Sequence, residues 1–190
     1  MGVFWEWICE LLLRCICLMR SSMTTYNRIT KPQLIAACSR VIALAAQYKP
    51  KDAHREMGYD GLLFGFFDAM FGKMQRQHRI WIGKSRRPKR LDYRQGGTSP
   101  VVIEFATRTP SRNEIYGSQN ADEISKLTRQ RKASARYLLL FDMSKQSPLD
   151  ADALWDTYRK LKGGVGKFQR KSVQVIYVHP KLVDSFIWRP

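Results

Sequence analysis

The sequence predicts a mixed α/β domain, with a central sheet flanked by helices. Three observations carry that reading. An apolar repeat at helical spacing fills residues 31–48, and short β-type runs lie between residues 79 and 108. Further on, "ARYLLLFDM" (135–143) is nearly continuous in apolar residues, as expected of a strand covered on both faces. At 190 residues the chain is long enough for one well-filled core and too short for two large ones.

The elements follow in order. Thr30, Pro32 and Gln33 form a helix start, with a capping hydroxyl, proline in the first turn and glutamine three residues after the cap. Leu34, Ala37, Cys38, Val41, Ala45 and Tyr48 then recur at helical spacing. "YKPKD" interrupts, and a second helix is expected from about residue 51 to 72, with Met57, Leu62, Leu63, Phe66, Phe67 and Met70 as its apolar set. The aromatic set Phe64, Phe66, Phe67 and Phe71 is expected to be core. "RIWIG", "RLDYR" and "VVIEFATR" read as three short strands, 119–134 as a helix, and "SPLDADALWDTYRKLKGG" as a helix with a glycine stop. "SVQVIYVHP" (172–180) reads as the last strand.

Residues 1–22 stand apart from the domain at 23–190. Glu6, Glu10 and Arg14 interrupt the apolar run that would otherwise span a membrane. No basic segment precedes it, as an export signal would require. Met23 opens a stretch that reads as a natural beginning, so the segment is read first as an upstream extension of the reading frame. Contact of residues 3–19 with a membrane or a partner ranks below that. Cys9, Cys15, Cys17 and Cys38 show neither zinc nor disulfide spacing and fit a reducing, cytoplasmic setting.

Charge points to the partner. Lys and Arg number 33 against 16 Asp and Glu, a net of +17. Such an excess attracts polyanions before anything else. The cations cluster in "GKSRRPKR" (83–90), "KLTRQRKASAR" (126–136) and "RKLKGGVGKFQRK" (159–171). Lys84, Arg86, Arg87, Lys89, Arg90, Arg129, Arg131 and Lys132 are therefore the expected contacts to a nucleic acid backbone, DNA first.

Asp92 and Glu104 lie on neighbouring runs separated by the turn "GGTSP". With regular alternation Asp92 and Arg90 share a face opposite Leu91 and Tyr93, and Glu104, Ala106 and Arg108 share a face opposite Ile103 and Phe105. If the runs pair, the two carboxylates converge as a donor set suited to Mg²⁺. This order of Glu56 on a helix, Asp92 on a strand, Glu104 within "VVIEFAT", then a helix and "RYLLLFD", resembles the PD-(D/E)xK nuclease superfamily, the restriction-endonuclease-like fold. The resemblance covers roughly residues 33–143. It implies metal-dependent phosphodiester hydrolysis with Asp92 and Glu104 as ligands of Mg²⁺ or Mn²⁺ and Glu56 as an auxiliary ligand.

The departure is Ala106, which stands where that family carries its lysine. Lys126 and Gln119 rank first as replacements, and Arg108 after them, its rigid fork being a poorer substitute. Two readings compete with the nuclease: a catalytically inactive nucleic-acid-binding module of the same fold, and a membrane-surface or partner-binding protein. "GGVGK" (163–167) is read as a helix stop rather than a phosphate loop, since Leu161 and Phe168 break the pattern. His54, His78 and His179 suggest no catalytic triad, and Asp142 is read as a loop acid.

Overall fold

The computed structural model describes residues 28–48, 56–72, 74–80, 88–109, 112–144, 146–161 and 171–190. The expectations for residues 1–22, for Lys84, Arg86 and Arg87, and for "GGVGK" lie outside these. Helix α1 (Lys31–Tyr48) begins as its sequence requires: the Thr30 amide donates to Gln33 Oε1 at 3.1 Å, the return arm of a capping box. Helix α2 (Glu56–Phe71) ends at Gly72, whose φ of 62° and amide bond to Asp68 O close the last turn. Then come β1 (Met74–Ile80), β2 (Lys89–Gln95), β3 (Val101–Thr109), β4 (Arg112–Asn113), α3 (Ala121–Thr128), β5 (Ala135–Asp142), α4 (Ala151–Arg159), β6 (Val173–His179) and β7 (Leu182–Trp188).

The strands form one mixed sheet in the order β1-β2-β3-β5-β6-β7, with the two-residue β4 paired to the end of β3. β3, β5 and β6 run parallel at its centre, and the outer pairings are antiparallel. Every residue of β3 is buried, as is all of β5 after Ala135, as befits strands covered on both faces. Residues of α1 and α2, Leu34, Val41, Leu63 and Phe67 among them, pack with Ile103, Phe105, Leu139 and Ile176 on one face. On the other, Ile124 and Leu127 of α3 and Leu154 and Trp155 of α4 pack with Val102, Ala106, Leu140 and Val175. The Phe64–Phe71 set does belong to the core, with Phe67 and Phe71 buried and Phe64 and Phe66 packed against them.

Several elements differ from the expectation. The first strand is Met74–Ile80, earlier than "RIWIG", and as an edge strand it has buried residues only at its ends. Helix α3 stops at Thr128 because the chain turns back toward β5, and the Arg136 guanidinium donates to the carbonyls of Gln130 and Arg131 released by that turn. β7 follows β6 after Pro180 and Lys181, a tight hairpin that "SVQVIYVHP" alone does not announce.

The alternation in β2 also fails, and the failure shapes the site. Leu91 packs with Ile80, Val102 and Ile124, whereas Tyr93 stacks on Phe105 on the opposite face. Gln77 is the cause. Its φ is 53°, and the β1–β2 ladder pairs Arg76 with Tyr93 and His78 with Leu91 but skips Gln77 and Asp92. Across this break the side chains of both strands change faces, Met74 and Tyr93 lying in one layer and Ile80 and Leu91 in the other.

Candidate active site

β2 pairs with β3 only through Tyr93–Gln95 and Val101–Ile103, and β4 takes up β3 again only at Arg108. Between these the edge of β3 opens around Glu104, and Asp92 fills part of the gap. Its Oδ2 accepts the Phe105 amide at 3.0 Å, and its Oδ1 accepts Gln77 Nε2 at 3.2 Å. Asp92 therefore closes by side chain a ladder that the backbone leaves open.

Glu104 points to the α3 face, where Lys126 reaches it. Lys126 Nζ donates to Glu104 Oε2 at 2.8 Å and to Arg90 O at 3.1 Å. The Glu104 side chain is 1% exposed and that of Lys126 11%. Glu123, one turn earlier on α3, lies 3.9 Å from the same ammonium. The structure thus brings Asp92, Glu104 and Lys126 together. Helical geometry carries Lys126 inward, because Ile124, Leu127 and Thr128 of α3 are buried alongside it.

The charges are strongly coupled. Burial, and then the adjacent Asp92 carboxylate, hold Glu104 well above the ordinary carboxylate range, with Lys126 opposing them. Burial alone would lower Lys126, but Glu104, Asp92 and Glu123 outweigh it and hold the ammonium above its usual value. As an ammonium, Lys126 has one of its three N–H donors beyond the bonds to Glu104 and Arg90.

Glu104 Oε1 is buried with no hydrogen-bond partner. An orphaned carboxylate oxygen beside a second carboxylate fits a divalent cation, whose shell takes carboxylates together with water or phosphate. Asp92 and Glu104 would hold it. Among the described residues no group of three His, Cys, Asp or Glu converges on one point. Glu56 opens α2, but its side chain lies outside the described part.

The remaining expectations divide. Gln119 precedes α3 rather than lying on it; its Nε2 donates to Asn113 O at 2.8 Å and its Oε1 accepts the Tyr116 amide, so it braces the loop instead of facing the carboxylates. Arg108 turns to Asp142, 2.8 Å away at the end of β5. Asp142 is accordingly no loop acid: it is fully buried and bonded by Arg108, Tyr177 and Ser144. Lys89, Arg90, Arg131 and Lys132 are exposed, with Lys89 3.2 Å from Asp122, while Arg129 donates to Ser125 Oγ. Two groups escape the sequence reading. Gln77 carries no sequence signal at all, whereas Glu123 could have been found from its spacing to Lys126.

Outside this site, a cavity of about 360 Å³ lies between α1 and the β6–β7 hairpin, lined by Ser39, Ile42, Ala43 and His179 among others. No carboxylate lines it. On β1 and β2, the exposed Arg79 and Arg90 stand directly opposite each other, with no acid partner among the described residues. Like charges so placed repel, and an anion between them relieves that repulsion.

No family model matches the chain, and no curated protein is significantly similar to it. A solved structure described as "Crystal structure of SSO0001" aligns over 96% of this chain and 77% of its own at 13% identity, with a TM-score of 0.28. A likeness that distant carries no argument. The description that stands is an α/β protein whose described residues form a mixed sheet flanked by four helices.

Proposed function

We propose that this protein is a metal-dependent nuclease of the PD-(D/E)xK type that hydrolyses phosphodiester bonds in DNA. One observation carries the reading: the Lys126 ammonium, from a helix, lies 2.8 Å from Glu104 Oε2, beside Asp92 and in the neighbourhood where Ala106 leaves a basic group wanting. The element order adds support, with three antiparallel strands, a helix, and a strand parallel to the third. Asp92 and Glu104 would hold Mg²⁺ or Mn²⁺. When bound, that ion supplies Lewis acidity and a more acidic water.

The chain's own residues do the rest. Lys126 acts as a donor that orients the nucleophile or steadies charge on a phosphate oxygen. Glu104 keeps Lys126 in place, and Arg90 O fixes a second of its N–H groups. Arg79, Arg90, Arg131 and Lys132 supply backbone contacts to the polyanion.

The test is cleavage of supercoiled and linear DNA in the presence of Mg²⁺ or Mn²⁺. Asp92→Ala and Glu104→Ala abolish cleavage, and Lys126→Met lowers it about 100-fold or more with DNA affinity retained. Cleavage that persists in the purified Asp92→Ala/Glu104→Ala double variant sinks the assignment. DNA binding by the wild type without cleavage under either ion selects the inactive binding module.

A further inference from the structure

Gln77 combines three features found together nowhere else among the described residues. It is the only non-glycine residue there with positive φ, at 53°. It stands opposite Asp92 at the one position where the β1–β2 ladder is interrupted. Its Nε2 donates to Asp92 Oδ1 at 3.2 Å. Glutamine gains nothing from the left-handed region, where asparagine or glycine is the less strained choice. Backbone strain of this kind persists where the surroundings over-determine it, and it concentrates at functional sites.

What the strain accomplishes can be read from the neighbours. With the pleat interrupted at Gln77 and Asp92, Leu91 enters the α3 layer while Tyr93 stays in the other. Asp92 is left between the layers, its Oδ2 on the Phe105 amide and its Oδ1 on Gln77, with Glu104 beside it. The Phe105 amide anchors one oxygen of Asp92, and the Gln77 amide fixes the rotation about that anchor.

We infer that Gln77 is a positioning residue that holds the Asp92 carboxylate beside Glu104, so that the pair can receive one divalent cation; this rests on the cation-site reading above. A residue acting this way strengthens ion binding at the expense of its own backbone comfort. The two effects are separable. Gln77→Gly removes the amide and relieves the φ, whereas Gln77→Ala removes the amide and keeps the strain.

The experiment is Mn²⁺ titration of the full-length protein and both variants by calorimetry, with thermal unfolding midpoints measured without metal. Both variants are expected to bind Mn²⁺ about tenfold more weakly than wild type, the scale of one hydrogen bond to a charged group. The metal-free midpoints should move in opposite directions, up for Gln77→Gly and down for Gln77→Ala. If Gln77→Gly binds Mn²⁺ as tightly as wild type, or if affinity follows the midpoints, the role is structural and the inference is overturned. If wild type binds no Mn²⁺, the cation-site reading fails and takes the inference with it.

Discussion

Asp142 and Glu104 are both buried acids on central strands, yet their environments give them opposite pH behaviour. Hydrogen bonds from Tyr177, Ser144 and Arg108 overcome burial and hold Asp142 below its ordinary value of 3.8. Its contribution to stability is therefore present above that value and lost as pH falls through its lower folded pKa. Asp142→Ala leaves Arg108 buried without its partner and is expected to cost about 3–5 kcal/mol by urea unfolding at neutral pH. Glu104 is held well above 4.5, so the folded state prefers it protonated, and stability is lost as pH rises from that value through the folded pKa. Glu104→Gln is accordingly expected to flatten this pH dependence, its stability relative to wild type rising as pH is raised. Urea melts across about pH 4–8 check this. Glu104→Gln should at the same time remove any stabilisation by Mg²⁺.

At the scale of elements, caps and close contacts carry the specific tests. Helix α4 starts at Asp150, whose Oδ1 accepts the Ala153 amide at 3.1 Å. Asp150→Ala is expected to cost about 1 kcal/mol, measurable by chemical denaturation. Gly117 lies in the loop before α3, with its amide donating to Thr157 Oγ1 at 2.8 Å; a Cβ there would fall on the Thr157 carbonyl. Gly117→Ala therefore pushes the loop off α4 and should cost about 1–3 kcal/mol. The elements most legible in the sequence are those with local signals, such as the Thr30–Gln33 box of α1 and the unbroken apolar run of β5. The position of β1 is not legible, because an edge strand of polar residues, interrupted at Gln77, has neither the alternation nor the apolar content that marks a strand. The end of α3 is hidden for a different reason: the turn that follows it is held by Arg136, which reaches back from the next strand.

For the whole molecule, the net charge of +17 makes salt the decisive variable. DNA affinity should fall linearly on a log–log plot against salt, and each lost phosphate contact flattens the slope by about 0.9. Replacing both Arg79 and Arg90 with alanine should therefore flatten it by about 1.8 and leave the midpoint of unfolding unchanged or raised, since the two arginines repel each other across the ladder. Fluorescence anisotropy with a labelled duplex at several salt concentrations measures this. An unchanged slope would show that this face of the sheet does not touch the polyanion. Among the described residues no helix is long and apolar enough to cross a membrane.

The sequence by itself determined the α/β class, the basic character, and the placing of Asp92 and Glu104 on adjacent strands, because period, composition and turn chemistry act over a few residues. It offered three replacements for the lysine that the resemblance expects at Ala106, ranking Lys126 and Gln119 above Arg108 without deciding between those two. Tertiary packing made the choice of neighbour: Lys126 meets Glu104 across 22 residues, Arg108 is drawn to Asp142 across 34, and Gln119 is held within its own loop. The left-handed Gln77 belongs to the same category. Each of these depends on how α3 and β1 seat against the sheet, and that seating is fixed by the buried layers on both faces rather than by any local run of residues.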